Sequence, residues 1–183
     1  MKTFENQIIE YIPNLRRYAS ALTANCMVHA DDLVQDTLER ALIKQTLWDP
    51  LSRLRPWLFT IMHNLFINQI NKKKLYLVED TEVQNNEASS SGDPAHDYFA
   101  TQLKAQLQYL PLRQKEVLLL VSFEGFSYEE VASILDIPVG TIMSRLYRGR
   151  EKLRQVLFDN KTIDTEKETN ITPLKRLKGE NHA

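Results

Sequence analysis

Residues 126–154, FSYEEVASILDIPVGTIMSRLYRGREKLR, carry the reading that decides the fold. Ser127-Tyr-Glu-Glu130 has the form of a capping box: the Ser127 hydroxyl can accept from the Glu130 amide, and the Glu130 side chain can reach back to the Ser127 amide. Phe126 and Val131 occupy the hydrophobic-staple positions around it, so a helix starts here. It should stop near Asp136 to Pro138, because proline suits the first turn of a new helix better than the interior of an old one. Two helices separated by about three residues form a helix-turn-helix. In the second, Val139, Ile142, Leu146, Gly149, Leu153 and Val156 recur at helical steps as a buried stripe, leaving Thr141, Ser144, Arg145, Tyr147, Arg148 and Lys152 on the opposite side. Such a helix can enter the major groove, where Arg bonds a guanine edge bidentately and Ser or Thr reaches a base or phosphate. The plain alternative is a basic, solvated helix of any small bundle. Cap, short turn and cationic face in this order favour DNA.

Upstream, Phe99, Leu103, Leu107 and Leu110 keep the helical period, and so does the segment Leu112 to Phe123. Before them, Glu79 to Asp97 (EDTEVQNNEASSSGDPAHD) carries six acids and no base, only Val83, Ala88 and Ala95 as apolar residues, and both Gly92 and Pro94. It reads as a flexible acidic linker. On its far side Ile8, Ile12, Leu15, Ala19 and Leu22, then Val34, Leu38 and Ala41 or Leu42, keep helical spacing. No period-2 strand appears. The expected fold is all-α: two small helical domains, 1–78 and 98–159, joined by the linker 79–97 and followed by a polar tail, 160–183, without stable structure.

Arg53 to Lys74 is the less usual segment, with five basic residues and no acid. Trp57, Ile61 and Leu65 fall on one side and Leu58, Met62, Phe66 and Ile70 on a neighbouring one. Thr60, Asn64, Asn68 and Asn71 are left as a polar stripe that ends in Lys72, Lys73 and Lys74. Asparagine is a mediocre helix former, so three on one face invite a reason other than stability. Amides can read unstacked nucleobases while lysines hold the backbone. Trp57 and Phe66 read as core.

The composition is that of a globular chain: 183 residues, 43% hydrophobic, 26% charged, net charge −1. The longest apolar run, Val117 to Val121, is far short of the roughly 20 residues of a bilayer span. Glu5 and Glu10 stand where a signal peptide would be basic and apolar, so no membrane insertion and a cytoplasmic location are expected. Cys26, the single cysteine, cannot form an internal disulfide. The near-neutral total hides a partition. Pro138 to Phe158 carries five basic residues against one acid, which with the basic Arg53 to Lys74 stretch fits a polyanion reader and two unrelated solvated faces equally well. Cys26 and His29 have ligand-like spacing, but His63, His96 and His182 lie in unrelated contexts, so no metal, cofactor or catalytic group is expected. Asp31-Asp32-Leu33-Val-Gln35-Asp36-Thr-Leu-Glu39 gives an acidic and amide-bearing helix face, either a match to the helix dipole or a docking face for a basic partner.

Taken together, DDLVQDTLERAL (31–42), LRPWLFTIMHNLFINQI (54–70) and LPLRQKEVLLLVSFEGFSYEEVASILDIPVGTIMSRLYRGREKLR (110–154) resemble the bacterial extracytoplasmic-function sigma factors over roughly residues 8–158. Within that group, IPNLRRYASALT (12–23) and LRPWLFTIMHNLF look most like the general-stress-response type. The resemblance implies a promoter-recognition subunit that binds core RNA polymerase and promoter DNA, both duplex and melted, and that catalyses nothing itself. On it, Asp32, Leu33, Gln35, Asp36 and Glu39 lie in the polymerase-docking segment. His63, Asn64 and Asn68 match the reader of the opening minus-ten element, and Thr141, Ser144, Arg145, Tyr147 and Arg148 the minus-thirty-five recognition helix. The acidic tether would thread toward the polymerase channels, and an anti-sigma factor is the implied regulator. Met143 stands where many relatives carry a cationic or polar residue, so promoter preference does not transfer. Two rival readings are a helix-turn-helix regulator that does not bind polymerase and a sigma-like decoy that binds only an anti-sigma protein. The retained DNA-facing residues argue against the decoy.

Overall fold

The computed structural model describes residues 3–23, 26–49, 53–77 and 106–168, with the backbone alone for 73–77 and 156–168. The expected acidic linker 79–97 lies outside them. The N-terminal domain is α1 (Phe4–Ile9), α2 (Ile12–Leu22), α3 (Met27–Ile43), a 3-10 turn at Gln45–Leu47 and α4 (Leu54–Leu77). The C-terminal domain follows a helical stub at 106–108: α5 (Leu112–Leu118), a π-helical turn at Leu119–Phe123, α6 (Tyr128–Leu135) and α7 (Val139–Glu168).

Helix starts follow local chemistry. The Thr3 hydroxyl accepts from the Asn6 amide at α1, and Pro13 sits in the first turn of α2, where its missing N–H costs nothing. α2 and α3 each bury one stripe, Leu15, Tyr18, Ala19 and Leu22 on the first and Ala30, Leu33, Val34, Thr37 and Ala41 on the second. The one polar member, Thr37, donates its hydroxyl to the Leu33 carbonyl at 2.6 Å, so its burial leaves nothing unsatisfied.

α4 buries Leu54, Leu58, Phe59, Ile61, Met62 and Phe66, with Trp57 half-buried against Phe4. The core reading of Trp57 and Phe66 holds. The two apolar stripes read from the sequence omit Phe59, which is fully buried. The reason lies in the packing: α4 meets α3 on one side and α6 of the C-terminal domain on another, so its first half is apolar almost all round.

The capping box closes as expected, with Ser127 Oγ accepting from the Glu130 amide at 3.2 Å and Glu130 Oε2 accepting from the Ser127 amide at 2.9 Å. α6 ends at Asp136 in the left-handed region (φ 51°), where the Ile137 amide bonds the Ala132 carbonyl and turns the chain into α7. Gly149 of α7 lies against Gln114 of α5, where an added Cβ would be 3.5 Å from the Gln114 Cβ. One expectation fails: the helix does not give way near Asn160 but continues to Glu168. No proline or glycine interrupts 160–168, and its lysines and glutamates are good helix formers. Residues 169–183 lie outside the description.

Candidate nucleic-acid interface

The exposed basic side of α7 is set by the two helices beneath it. Ile142 and Leu146 are buried against the C-terminal core, Val139 and Leu153 half-buried, which turns Ser144, Tyr147, Arg148 and Lys152 to solvent. Thr141 and Arg145 are half-buried at the edge of this face, and the side chain of Val156 is not described. Tyr147 is 71% exposed and Met143 also projects. Ser144 donates to the Thr141 carbonyl at 3.0 Å, so its hydroxyl retains acceptor capacity. Arg150 donates to Ser122 and Arg154 pairs with Glu151, whereas among the described residues no ion pair engages Arg145, Arg148 or Lys152.

On α4 the polar stripe is present as read: Asn64, Asn68, Asn71 and Lys72 are exposed and Thr60 is half-buried. The side chains of Lys73 and Lys74 are outside the described set. His63 is different, being half-buried with Nδ1 2.7 Å from Glu116 Oε1 of the C-terminal domain. On α3 the residues Asp32, Gln35, Asp36 and Glu39 face solvent, with Asp36 accepting from Gln69 at 3.3 Å. Leu33 is fully buried, so its contribution to that face is to hold α3 in register from beneath. Cys26 and His29 stand apart from any cluster of metal-ligating side chains among the described residues.

Two family models match successive parts of the chain. Residues 8–63 match the Sigma2 domain of PhyR, and residues 100–153 match Sigma-70, region 4. The chain is 40% identical over 157 residues to the ECF RNA polymerase sigma factor EcfG of Rhodopseudomonas palustris, covering 85% of this chain and 86% of that one. It belongs to the extracytoplasmic-function sigma factors. This sigma factor is also 32% identical over 142 residues to SigW of Bacillus subtilis, covering 71% of this chain and 76% of that protein. Among solved structures it resembles the sigma factor RpoE of Bartonella quintana, in complex with the anti-sigma factor NepR. There the TM-score is 0.71 at 33% identity, over 86% of this chain and 98% of that one. The EcfG likeness fits the general-stress-response type expected from residues 12–23 and 54–66.

What sequence reasoning missed in this sigma factor is how its two domains meet. Glu124, just after the π-helical turn, points its carboxylate into the N-terminal domain and is 1% exposed. It accepts from Asn14 Nδ2 at 3.0 Å and Arg17 Nε at 2.9 Å, both on α2, and from Arg55 Nη2 at 2.9 Å on α4. The Arg55 guanidinium lies 4.3 Å from the centroid of the Phe126 ring, and Phe126 meets Phe59 edge-on at 5.0 Å. Gly125 between Glu124 and Phe126 adopts φ 69°, which lets both neighbours face the same partner and would strain any residue with a Cβ. The only sequence signal was a pair of acids, Glu116 and Glu124, on either side of the apolar run Val117 to Val121 and its Ser122-Phe123 extension.

Proposed function

We propose that this sigma factor binds core RNA polymerase through the α3 face of Asp32, Gln35, Asp36 and Glu39, with Leu33 beneath, and directs it to promoters by two reading helices. α4 holds the non-template strand of the minus-ten element through Asn64 and Asn68, with His63 beside them and Lys72, Lys73 and Lys74 on the backbone. α7 reads the minus-thirty-five duplex through Thr141, Ser144, Arg145, Tyr147, Arg148 and Lys152. The protein works by binding and not by catalysis. Unstacking a base costs a few kcal/mol, and capture on the protein at roughly 1–3 kcal/mol per base offsets it. No helix among the described residues is long and apolar enough to cross a membrane, in keeping with a cytoplasmic site of action. The domain limits 1–78 and 98–159, the tether 79–97 and an anti-sigma factor as regulator belong to the same reading. Its regulatory part leans on the likeness to a sigma factor solved with NepR.

One observation carries the DNA assignment: on α7, Arg145, Arg148 and Lys152 are free of ion pairs among the described residues and lie on the side of the helix away from the buried Ile142 and Leu146. Run-off transcription with core polymerase over a randomised promoter library tests the whole reading. Initiation at a defined two-element motif is the expected result, and initiation indifferent to this protein overturns it. A second reading, the decoy that binds only an anti-sigma protein, is favoured by the match of residues 8–63 to the PhyR domain. Failure to co-purify with core polymerase would decide for it.

A further inference from the structure

α7 carries two large apolar side chains that the fold does not use. Met143 is 51% and Tyr147 71% exposed, whereas the other large apolar residues described on this helix, Val139, Ile142, Leu146 and Leu153, are buried or half-buried. At 3.6 residues per turn Met143 and Tyr147, four apart, share one flank of α7; Arg145 and Lys152 fall on the other flank, with Ser144 and Arg148 between them. Farther along the Met143 flank the cations are already engaged, Arg150 with Ser122 and Arg154 with Glu151.

The turn before Met143 is bare. A Cβ added at Gly140 would meet nothing within 4 Å, and the backbone there is ordinary helix, so nothing inside the chain calls for a glycine, a poor helix former. What the glycine leaves is clearance, because a partner can approach this turn more closely than any side chain would allow. Helical side chains lean toward the N-terminus, which directs that of Met143 toward the turn of Gly140.

A thioether is flexible, polarisable and almost without hydrogen-bonding power. In the major groove most base-edge groups are donors or acceptors, and an apolar tip set against guanine N7 and O6 or adenine N6 and N7 would leave them dry and unpaired. The C5-methyl of thymine is the exception. We propose that Met143 is a specificity residue of the minus-thirty-five reader: its side chain packs on a thymine methyl, Tyr147 on the same flank helps to exclude water, and Gly140 admits the base edge. The inference rests on the role given above to α7, and adds to its polar contacts one base pair chosen by apolar contact.

The test uses holoenzyme assembled from the full chain and core polymerase, on the promoter that the run-off selection defines. Each thymine of the minus-thirty-five element, on either strand, is replaced in turn by deoxyuridine, which lacks only the methyl. Burial of one methyl predicts that a single replacement weakens promoter binding about fourfold with the wild-type protein. With Met143→Ala the same replacement should cost almost nothing. Repeating the selection with Met143→Arg should exchange that A·T pair for a G·C pair, since arginine bonds guanine bidentately. A methionine that only fills surface would move neither readout. An element in which no thymine methyl matters, or an undiminished deoxyuridine effect with Met143→Ala, overturns the contact. Arg148→Ala separates this failure from a failure of the wider reading. If it weakens binding while no deoxyuridine replacement does, α7 reads the duplex and the role of Met143 alone falls. If binding ignores Arg148→Ala, Met143→Ala and every change in the element, the minus-thirty-five reading falls together with it.

Discussion

Replacing Tyr18 by phenylalanine should make this sigma factor more stable, against the usual direction for a buried residue. Tyr18 sits on α2 at 1% exposure, its ring 5.2 Å from that of Phe59. The ring's burial is retained in the variant and only the hydroxyl is lost. That hydroxyl is buried with no hydrogen-bond partner among the described residues, so the folded state bears its desolvation cost, about 1–3 kcal/mol for an unsatisfied polar group. For a chain of this length each kcal/mol moves the midpoint by roughly 2–4 °C, so calorimetry at neutral pH should give a higher Tm for Tyr18→Phe. Alkaline solution supplies a second signature. Burial, and then the charges of Glu116 and Glu124, push the phenol well above its ordinary value. Above pH about 10 the unfolded chain sheds this proton while the folded chain keeps it, so wild-type stability falls with rising pH, and the phenylalanine variant lacks that component. A lower Tm for Tyr18→Phe would show instead that the hydroxyl makes a stabilising hydrogen bond in the folded state.

Other outcomes follow from the same geometry. The Glu130 carboxyl is held below its ordinary value by the Ser127 amide and then by Arg53, so its stabilisation is full above pH about 4.5 and fades as pH falls through the lowered folded value; acid titration of Glu130→Gln should lose that component. Lys115 is buried and burial pushes its ammonium down, so the wild type gains stability as pH climbs towards 10.5, and Lys115→Met should raise Tm at neutral pH in a thermal melt. Asn64→Ala should impair promoter opening with polymerase binding intact; wild-type permanganate reactivity in the mutant complex would count against the amide role. Arg148→Ala should cost about 1–3 kcal/mol and relax preference at one base pair if the arginine is bidentate to guanine. A uniform loss over all sequences, with a shallower salt dependence of binding, would make it a phosphate contact instead.

Most of the individual helices were legible in the sequence because their signals are local. The Ser127–Glu130 box, the proline after the turn and the period of Ile142, Leu146 and Gly149 each involve residues within one or two helical turns. The Asn64, Asn68 and Asn71 stripe was legible for the same reason. Leu33 shows the limit of a motif: it falls within the segment expected to dock polymerase yet faces inward, since a helix carries a short motif round more than one face. His63 shows another, because its Glu116 partner lies 53 residues away.

The sequence alone determined that the chain is helical, that a basic helix-turn-helix lies near its C-terminal end and that an amide-lined basic helix precedes an acidic stretch, because spacing along the chain specifies the faces of a helix. It did not determine what occupies those faces. That Phe59 is core, that Glu124 answers to Asn14, Arg17 and Arg55, and that His63 is held by the other domain were decided by tertiary structure. These contacts join residues separated by 53 to 110 positions, and no local period encodes which distant charge will meet a buried carboxylate.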